Sequence, residues 1–345
     1  MRVLVIKLTS MGDLMHALPA LTDACQEFPG IEFDWIVDET FAEVPSWHPS
    51  VKNIYTSAHR RWKKTFWKSL ADGEFKKFYR QINLNNYDCI IDAQNNVKSS
   101  FISFLRRGSI HGMDRESVAE QPAWLAYRYK HCIDRKNHAI ARQRELFARA
   151  LSYRLPETIP EYGLKNDAFR LPDIQIKNPF LVLVHNASWS TKLWPEKYWH
   201  DVIKLAETAG YDVLLPGGNK EELERAQRIA NSHDNAISLP KMTLSEIGGL
   251  LKEARGAICC DTGLAHLSAM TGTPAVTLYG PTSADLIGTT GSNQSWITAS
   301  KPPYTCAPCY KRVCNFENRK TKMSSCMHSF TPEKVWQKLE AKLMG

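Results

Sequence analysis

The chain has 345 residues, 43% of them apolar and 23% charged, with a formal net charge of +8. That length gives room for two domain-sized cores, and the composition excludes a disordered chain, a collagen-like repeat and a membrane-embedded bundle. The positive excess is modest and interspersed with acids. It fits a neighbour of anionic lipid or a handler of phosphorylated substrate as well as a nucleic-acid binder, so its placement matters more than its total.

The opening Met1-Arg-Val-Leu-Val-Ile-Lys7 reads as a buried strand, without the apolar core and cleavage site of a secretion signal. No run approaches the roughly 18 apolar residues of a spanning helix. A cytoplasmic protein is expected, and its nine cysteines are expected as thiols. Cys25, Cys89, Cys132, Cys259 and Cys260 sit in apolar segments and are expected to pack in cores.

Along the chain, apolar runs at 3–6, 33–37 and 89–92 predict strands. Leu14, Leu18, Leu21 and Ala24, spaced by three or four residues, predict an amphipathic helix after the first of them. Residues 99–105 and 139–151 read as further helices. The stretch 155–179 has the proline-rich composition of a boundary. Strand-like runs then restart at 180–185, 213–215, 257–260 and 275–278, with helices expected at 198–209, 220–231, 244–254 and 264–270. The expected architecture is α/β, two doubly wound Rossmann-like domains facing a cleft: 1–165, 166–330, and a C-terminal helix within 331–345 packing back on a domain.

Ligands of parallel sheets bind at the carboxyl ends of strands, which directs attention to the loops. The first is Lys7-Leu-Thr-Ser-Met-Gly12-Asp13. It lacks both the three-glycine dinucleotide fingerprint and a GKS or GKT phosphate loop. Asp13 reads as a helix cap or as a general base, with His16 one turn on. In the second half, Asn186-Ala-Ser188-Trp-Ser-Thr-Lys192-Leu-Trp-Pro195 offers one lysine to a diphosphate; a solvated loop lysine is the plainer alternative. Asp261-Thr262-Gly263-Leu264-Ala265-His266 offers a cap, a glycine and free helix amides suited to an anion. Tyr279-Gly280-Pro281-Thr282 is another glycine turn after a strand. Together they describe a diphosphate-nucleotide site with no metal motif. Trp62, Trp189 and Trp194 are expected in loops lining the cleft.

In this order the residues resemble the lipopolysaccharide heptosyltransferases, glycosyltransferase family 9, of GT-B fold. The resemblance rests on Met11-Gly-Asp13 with His16-Ala-Leu-Pro19-Ala-Leu, Asp92-Ala-Gln94, His111-Gly-Met-Asp114 and Lys192-Leu-Trp-Pro195. It continues through Leu239-Pro-Lys-Met242, Asp261 to His266 and Tyr279 to Thr282, covering about residues 1–290. Asp34-Trp35-Ile-Val37 and the basic His59-Arg-Arg-Trp-Lys-Lys64 are most like the heptosyltransferase I branch. The resemblance implies an inverting transfer of heptose from ADP-heptose to a Kdo hydroxyl of Kdo–lipid A, at the inner face of the inner membrane. It further implies Asp13 as base and Lys192 as stabiliser of the departing ADP. Donor binding falls to Ser188, Lys192, Glu222 (ribose), Met242 (adenine face), Asp261, Thr262, Gly263 and His266. Acceptor anions fall to a basic loop carrying Arg60, Arg61, Lys63 and Lys64, for which a solvated charge run is the alternative. No cofactor, metal or nucleic acid is implied. A hydroxyl residue frequent in the family is replaced here by Ala187.

Other readings are a heptosyltransferase II-type enzyme adding the second heptose, a nucleotide-sugar epimerase, and a polyanion or membrane-surface binder. Cys306-x2-Cys309-x4-Cys314-x11-Cys326 is compatible with a tetrathiolate metal site, though reduced thiols or an adventitious disulfide are the favoured reading.

Overall fold

The computed structural model describes residues 1–106, 108–299, 304–316 and 324–344. The chain divides into two compact units, Met1–Ala168 and Phe169–Gly345.

The first unit is built on a six-stranded parallel sheet. Its strands are β1 (Arg2–Ile6), β2 (Glu32–Asp38), β3 (Val51–Ser57), β4 (Cys89–Asp92), β5 (Ile110–Met113) and β6 (Tyr129–His131), in the order β3-β2-β1-β4-β5-β6. Val3, Leu4, Val5 and Ile6 are inaccessible to solvent, so β1 is covered on both faces, as the continuous apolar run requires. The helix expected after β1 is two: Met11–Met15, then Leu18–Glu27 with Pro19 in its first turn. Proline lacks the amide a continuous helix needs there and is well suited to a first turn. Leu18–Glu27 packs on Ala139–Leu151. A buried ion pair joins the two helices, with Arg144 Nε and Nη2 at 2.6 and 3.1 Å from the Asp23 carboxylate.

The second unit repeats the plan with β7 (Phe180–Val184), β8 (Asp212–Leu215), β9 (Ala236–Ser238), β10 (Gly256–Cys260), β11 (Ala275–Tyr279) and β12 (Gln294–Thr298). Its order is β12-β11-β10-β7-β8-β9, all parallel. The helices Glu196–Thr208, Lys220–Ala230 and Pro332–Leu343 contribute to one apolar core; Gly345, at the end of the expected tail helix, lies outside the described residues. Trp194, expected in a loop lining a cleft, is instead fully buried in this core. Its ring meets Trp199 edge-on at 4.8 Å, and its Nε1 donates to the Phe330 carbonyl at 2.9 Å. Gly249 accommodates the chain at Arg170, whose backbone would collide with any Cβ there.

Two further expectations are corrected. Residues 59–64 form a helix, not a loop, because Trp62 is anchored by contacts to Phe75 and Phe78 that local sequence does not reveal. Cys132 is exposed and no part of a core, since β6 is an edge strand and the chain leaves the sheet at that point. The strands β3, β5, β6, β9 and β12 were not predicted.

Candidate active-site loops

In the first unit the loop between β1 and the helix Met11–Met15 is fixed from beneath by the loop after β4. Gln94 Oε1 accepts from the Leu8 and Thr9 amides, each at 3.0 Å. Gln94 is itself seated because Asp92 Oδ1 takes the Gln94 and Asn95 amides at 3.0 and 2.9 Å. Burial raises the Asp92 pKa, while its hydrogen bonds from the Asn95 amide and Tyr127 hydroxyl pull the other way. On this platform Asp13 Oδ2 accepts from the Ser10 amide at 2.9 Å and the Ser10 hydroxyl at 2.6 Å. Ser10 is therefore the N-cap, and Asp13, at the third helical position, is its capping-box partner rather than the cap itself. Asp13 is nevertheless only half-buried, so a carboxylate held in one geometry stays open to a hydroxyl.

Lys7, within the loop but given no role by the sequence reading, is 4% exposed and donates from Nζ to the Ala93 carbonyl at 2.8 Å. Burial pushes its ammonium down to about 8, against the opposing pull of the Asp13 carboxylate. A lysine in an apolar run is the signal that marked it. His16 is buried and meets the His138 ring edge-on at 5.9 Å.

The basic residues differ among themselves. Arg61 is clamped by two acids, with Nη1 on Glu74 at 2.8 Å and Nε on Glu39 at 3.2 Å. Arg60 lies 3.9 Å from Asp38 and over the Phe41 ring. Lys63 and Lys64 are exposed.

In the second unit the expected donor residues fall on the loops and following helices at the carboxyl ends of β7, β8, β9 and β10. Lys192 Nζ meets Asp261 Oδ2 at 2.7 Å, and the Thr282 hydroxyl donates to the same oxygen at 2.6 Å. Asp261 thus joins the loops after β7, β10 and β11, and the cap itself falls to Thr262, whose Oγ1 accepts from the Leu264 amide. Gly263 opens the helix Gly263–Met270, and His266 is buried one turn in. Glu222 Oε2 takes the Gly218 amide at 2.7 Å, and Met242 is half-buried in the loop after β9. Ser188 is exposed next to Trp189.

The sequence reading missed a second cation here. Arg312 lies over the Trp189 ring at 5.3 Å, with Lys192 at 4.8 Å from the same ring. The segment is held down by the Thr191 hydroxyl, which donates to the Lys311 carbonyl at 2.9 Å. Local sequence gave no cue, because 120 residues separate those partners. Cys306, Cys309, Cys314 and Cys326 are free thiols that line one small cavity with Gly280 and Tyr304. Burial and the three neighbouring thiols push Cys326 up to about 11. Among the described residues no group of three or more histidine, cysteine or acidic side chains is arranged to hold a metal ion. Gly280 has no space for a Cβ, because the Met327 and Cys326 sulfurs occupy it.

Comparison with known proteins places this geometry in context. The family described as glycosyltransferase family 9 (heptosyltransferase) matches residues 75–320. Lipopolysaccharide heptosyltransferase 1 of Pseudomonas aeruginosa is 39% identical, with 100% of this chain and 99% of that one covered. Its counterpart in Escherichia coli K12 is 42% identical, covering 85% and 92%. The solved structure of E. coli heptosyltransferase WaaC with ADP superposes with a TM-score of 0.86 at 38% identity, over 99% and 100% of the two chains. E. coli ADP-heptose lps heptosyltransferase II shares the fold, with a TM-score of 0.76 at 18% identity, over 100% and 99%.

Proposed function

The chain belongs to glycosyltransferase family 9, the heptosyltransferase family, and on that premise we propose that it moves L-glycero-D-manno-heptose from ADP-heptose to a Kdo hydroxyl of Kdo–lipid A. The observation that carries the donor half is the Lys192–Asp261–Thr282 junction next to the start of the helix Gly263–Met270. A cation and helix-start amides are there held in place by the protein's own contacts, which is what a departing diphosphate requires. Lys192 and the amides around Thr262 and Gly263 take the ADP diphosphate, with Arg312 adding positive charge. Glu222 takes the ribose, Met242 the adenine face, and Ser188, Asp261 and His266 complete the donor pocket.

The acceptor half assigns Asp13 as base. Its Oδ2 is held by Ser10 while the group stays half-exposed. It removes the proton of the Kdo hydroxyl as that oxygen attacks the anomeric carbon, and the ADP oxygen leaves in the same displacement, inverting the centre. Arg60, Lys63 and Lys64 offer charge to the acceptor's carboxylates and phosphates, and Arg61 holds their helix in place through Glu39 and Glu74. The acceptor is a lipid, so the work is done at the cytoplasmic face of the inner membrane.

The test is mass analysis of product from ADP-heptose with Kdo–lipid A, alongside an acceptor already carrying one heptose. A single-heptose adduct on the first is expected; transfer only to the second would make this a second-heptose enzyme. Asp13→Asn is expected to cut turnover about a hundred- to ten-thousandfold with ADP binding unchanged. Near-normal turnover would leave Asp13 as a capping-box partner alone.

A further inference from the structure

Positive charge is concentrated in one short stretch. The stretch from Arg60 to Arg80 contains eight cationic side chains and two acidic ones, Asp72 and Glu74, so this segment carries +6 of the chain's formal +8. It folds as three consecutive helices, His59–Lys64, Phe66–Ala71 and Glu74–Ile82. Trp62 packs against Phe75 and Phe78 at 4.8 and 5.5 Å, and Glu74 is occupied by Arg61 and the Trp62 indole. Lys63, Lys64, Lys68, Lys76, Lys77 and Arg80 are exposed and enter no ion pair among the described residues.

The middle helix is inverted relative to a solvated surface helix. It buries Ser69, which is 1% exposed, and turns Phe66, Trp67 and Leu70 outward at 49, 79 and 50% exposure. A helix facing only water keeps its apolar side inward. Outward aromatics among lysines are the chemistry of the headgroup region, where an indole sits at the acyl boundary and ammonium groups meet lipid phosphates.

We infer that the hairpin of residues 59–82 is a docking surface for an anionic lipid bilayer, with Trp67, Phe66 and Leu70 entering the headgroup layer and Lys68, Lys76 and Lys77 neutralising lipid phosphates. A dissolved polyanion would satisfy the lysines but leave the three apolar side chains in water. The purpose of such docking rests on the lipid-linked acceptor proposed above; the binding itself does not.

The experiment measures partition of the full chain onto phosphatidylglycerol–phosphatidylcholine vesicles and onto pure phosphatidylcholine, both free of any sugar acceptor. Binding is expected to be at least about tenfold tighter on the anionic vesicles, to weaken with salt, and to shift tryptophan emission to the blue. Lys68→Gln/Lys76→Gln/Lys77→Gln and Trp67→Ser/Leu70→Ser are each expected to lose about tenfold in partition. Both should retain ADP affinity and turnover of a water-soluble, acyl-free acceptor. If the second variant fails to fold by circular dichroism, the lysine variant decides. Equal partition onto both vesicle types overturns the inference. So does wild-type binding by the folded variants, or duplex DNA binding as tight as vesicle binding and indifferent to Trp67→Ser/Leu70→Ser. For the unaltered chain, no binding to the anionic vesicles with heptose transfer intact overturns the docking surface alone; no transfer with vesicle binding intact overturns the reaction alone.

Discussion

Lys192 and Asp261 hold each other at 2.7 Å, with 13% and 4% of their side chains exposed. Truncating the lysine does two things: it removes a cation from the proposed diphosphate site, and it leaves a carboxylate, still held by the Thr282 hydroxyl, to repel a diphosphate there. Lys192→Ala is therefore expected to weaken ADP binding by roughly ten- to a hundredfold. Lys192→Ala/Asp261→Asn should recover part of that loss, which calorimetric titration of the cycle would read; single-variant effects that simply add in the double variant would show no coupling. Lys7 gives a pH prediction of definite sign. Its folded pKa of about 8 lies below the ordinary 10.5, so burying the charged form costs stability at neutral pH. Between those values the unfolded chain binds the proton that the folded chain has lost, so its contribution rises with pH by about 1.4 kcal/mol per unit and is flat below about 8. Urea midpoints for wild type and Lys7→Met across that window should converge or diverge with that slope; parallel curves would contradict it.

The loops after β1 and β4 form a brace in which one carboxamide oxygen serves two backbone donors. Gln94→Ala strands both amides, with an expected cost of about 1–3 kcal/mol. Because those amides precede Ser10 and Asp13 directly, turnover should fall while ADP affinity, assigned by the proposal to the other unit, is preserved. Gln94→Glu keeps the acceptor and should retain most of the stability. A loss of ADP affinity in Gln94→Ala as large as the loss of turnover would sever this brace from the proposed base.

Each unit has its own six-stranded sheet, and every proposed ADP contact belongs to the second. ADP alone should therefore slow amide exchange in the loops after β7, β8, β9 and β10, and raise the stability of that unit by mass action. Hydrogen exchange followed by mass spectrometry reads this peptide by peptide. Equal protection of the loop carrying Asp13 would reassign the donor site to both units.

The strands that were legible in the chain are β1, β2, β4, β7, β8, β10 and β11, which lie inside the two sheets and appear as plain apolar runs because both faces are covered. Those missed are mostly at the edges: β3 and β6 in one sheet, β9 and β12 in the other, together with the short β5. An edge strand such as Tyr129–His131 needs no apolar run, since its place is set by hydrogen bonds to a neighbour. The loop motifs were legible because glycines, caps and charged groups at strand ends are local chemistry, and their order carried the family. The pairing of Lys192 with Asp261, the cation Arg312 on Trp189, the burial of Lys7 and the outward turn of Trp67 were not. Each depends on which segments meet in space: a side chain's neighbours across 69 or 120 residues follow from packing, which no local pattern encodes.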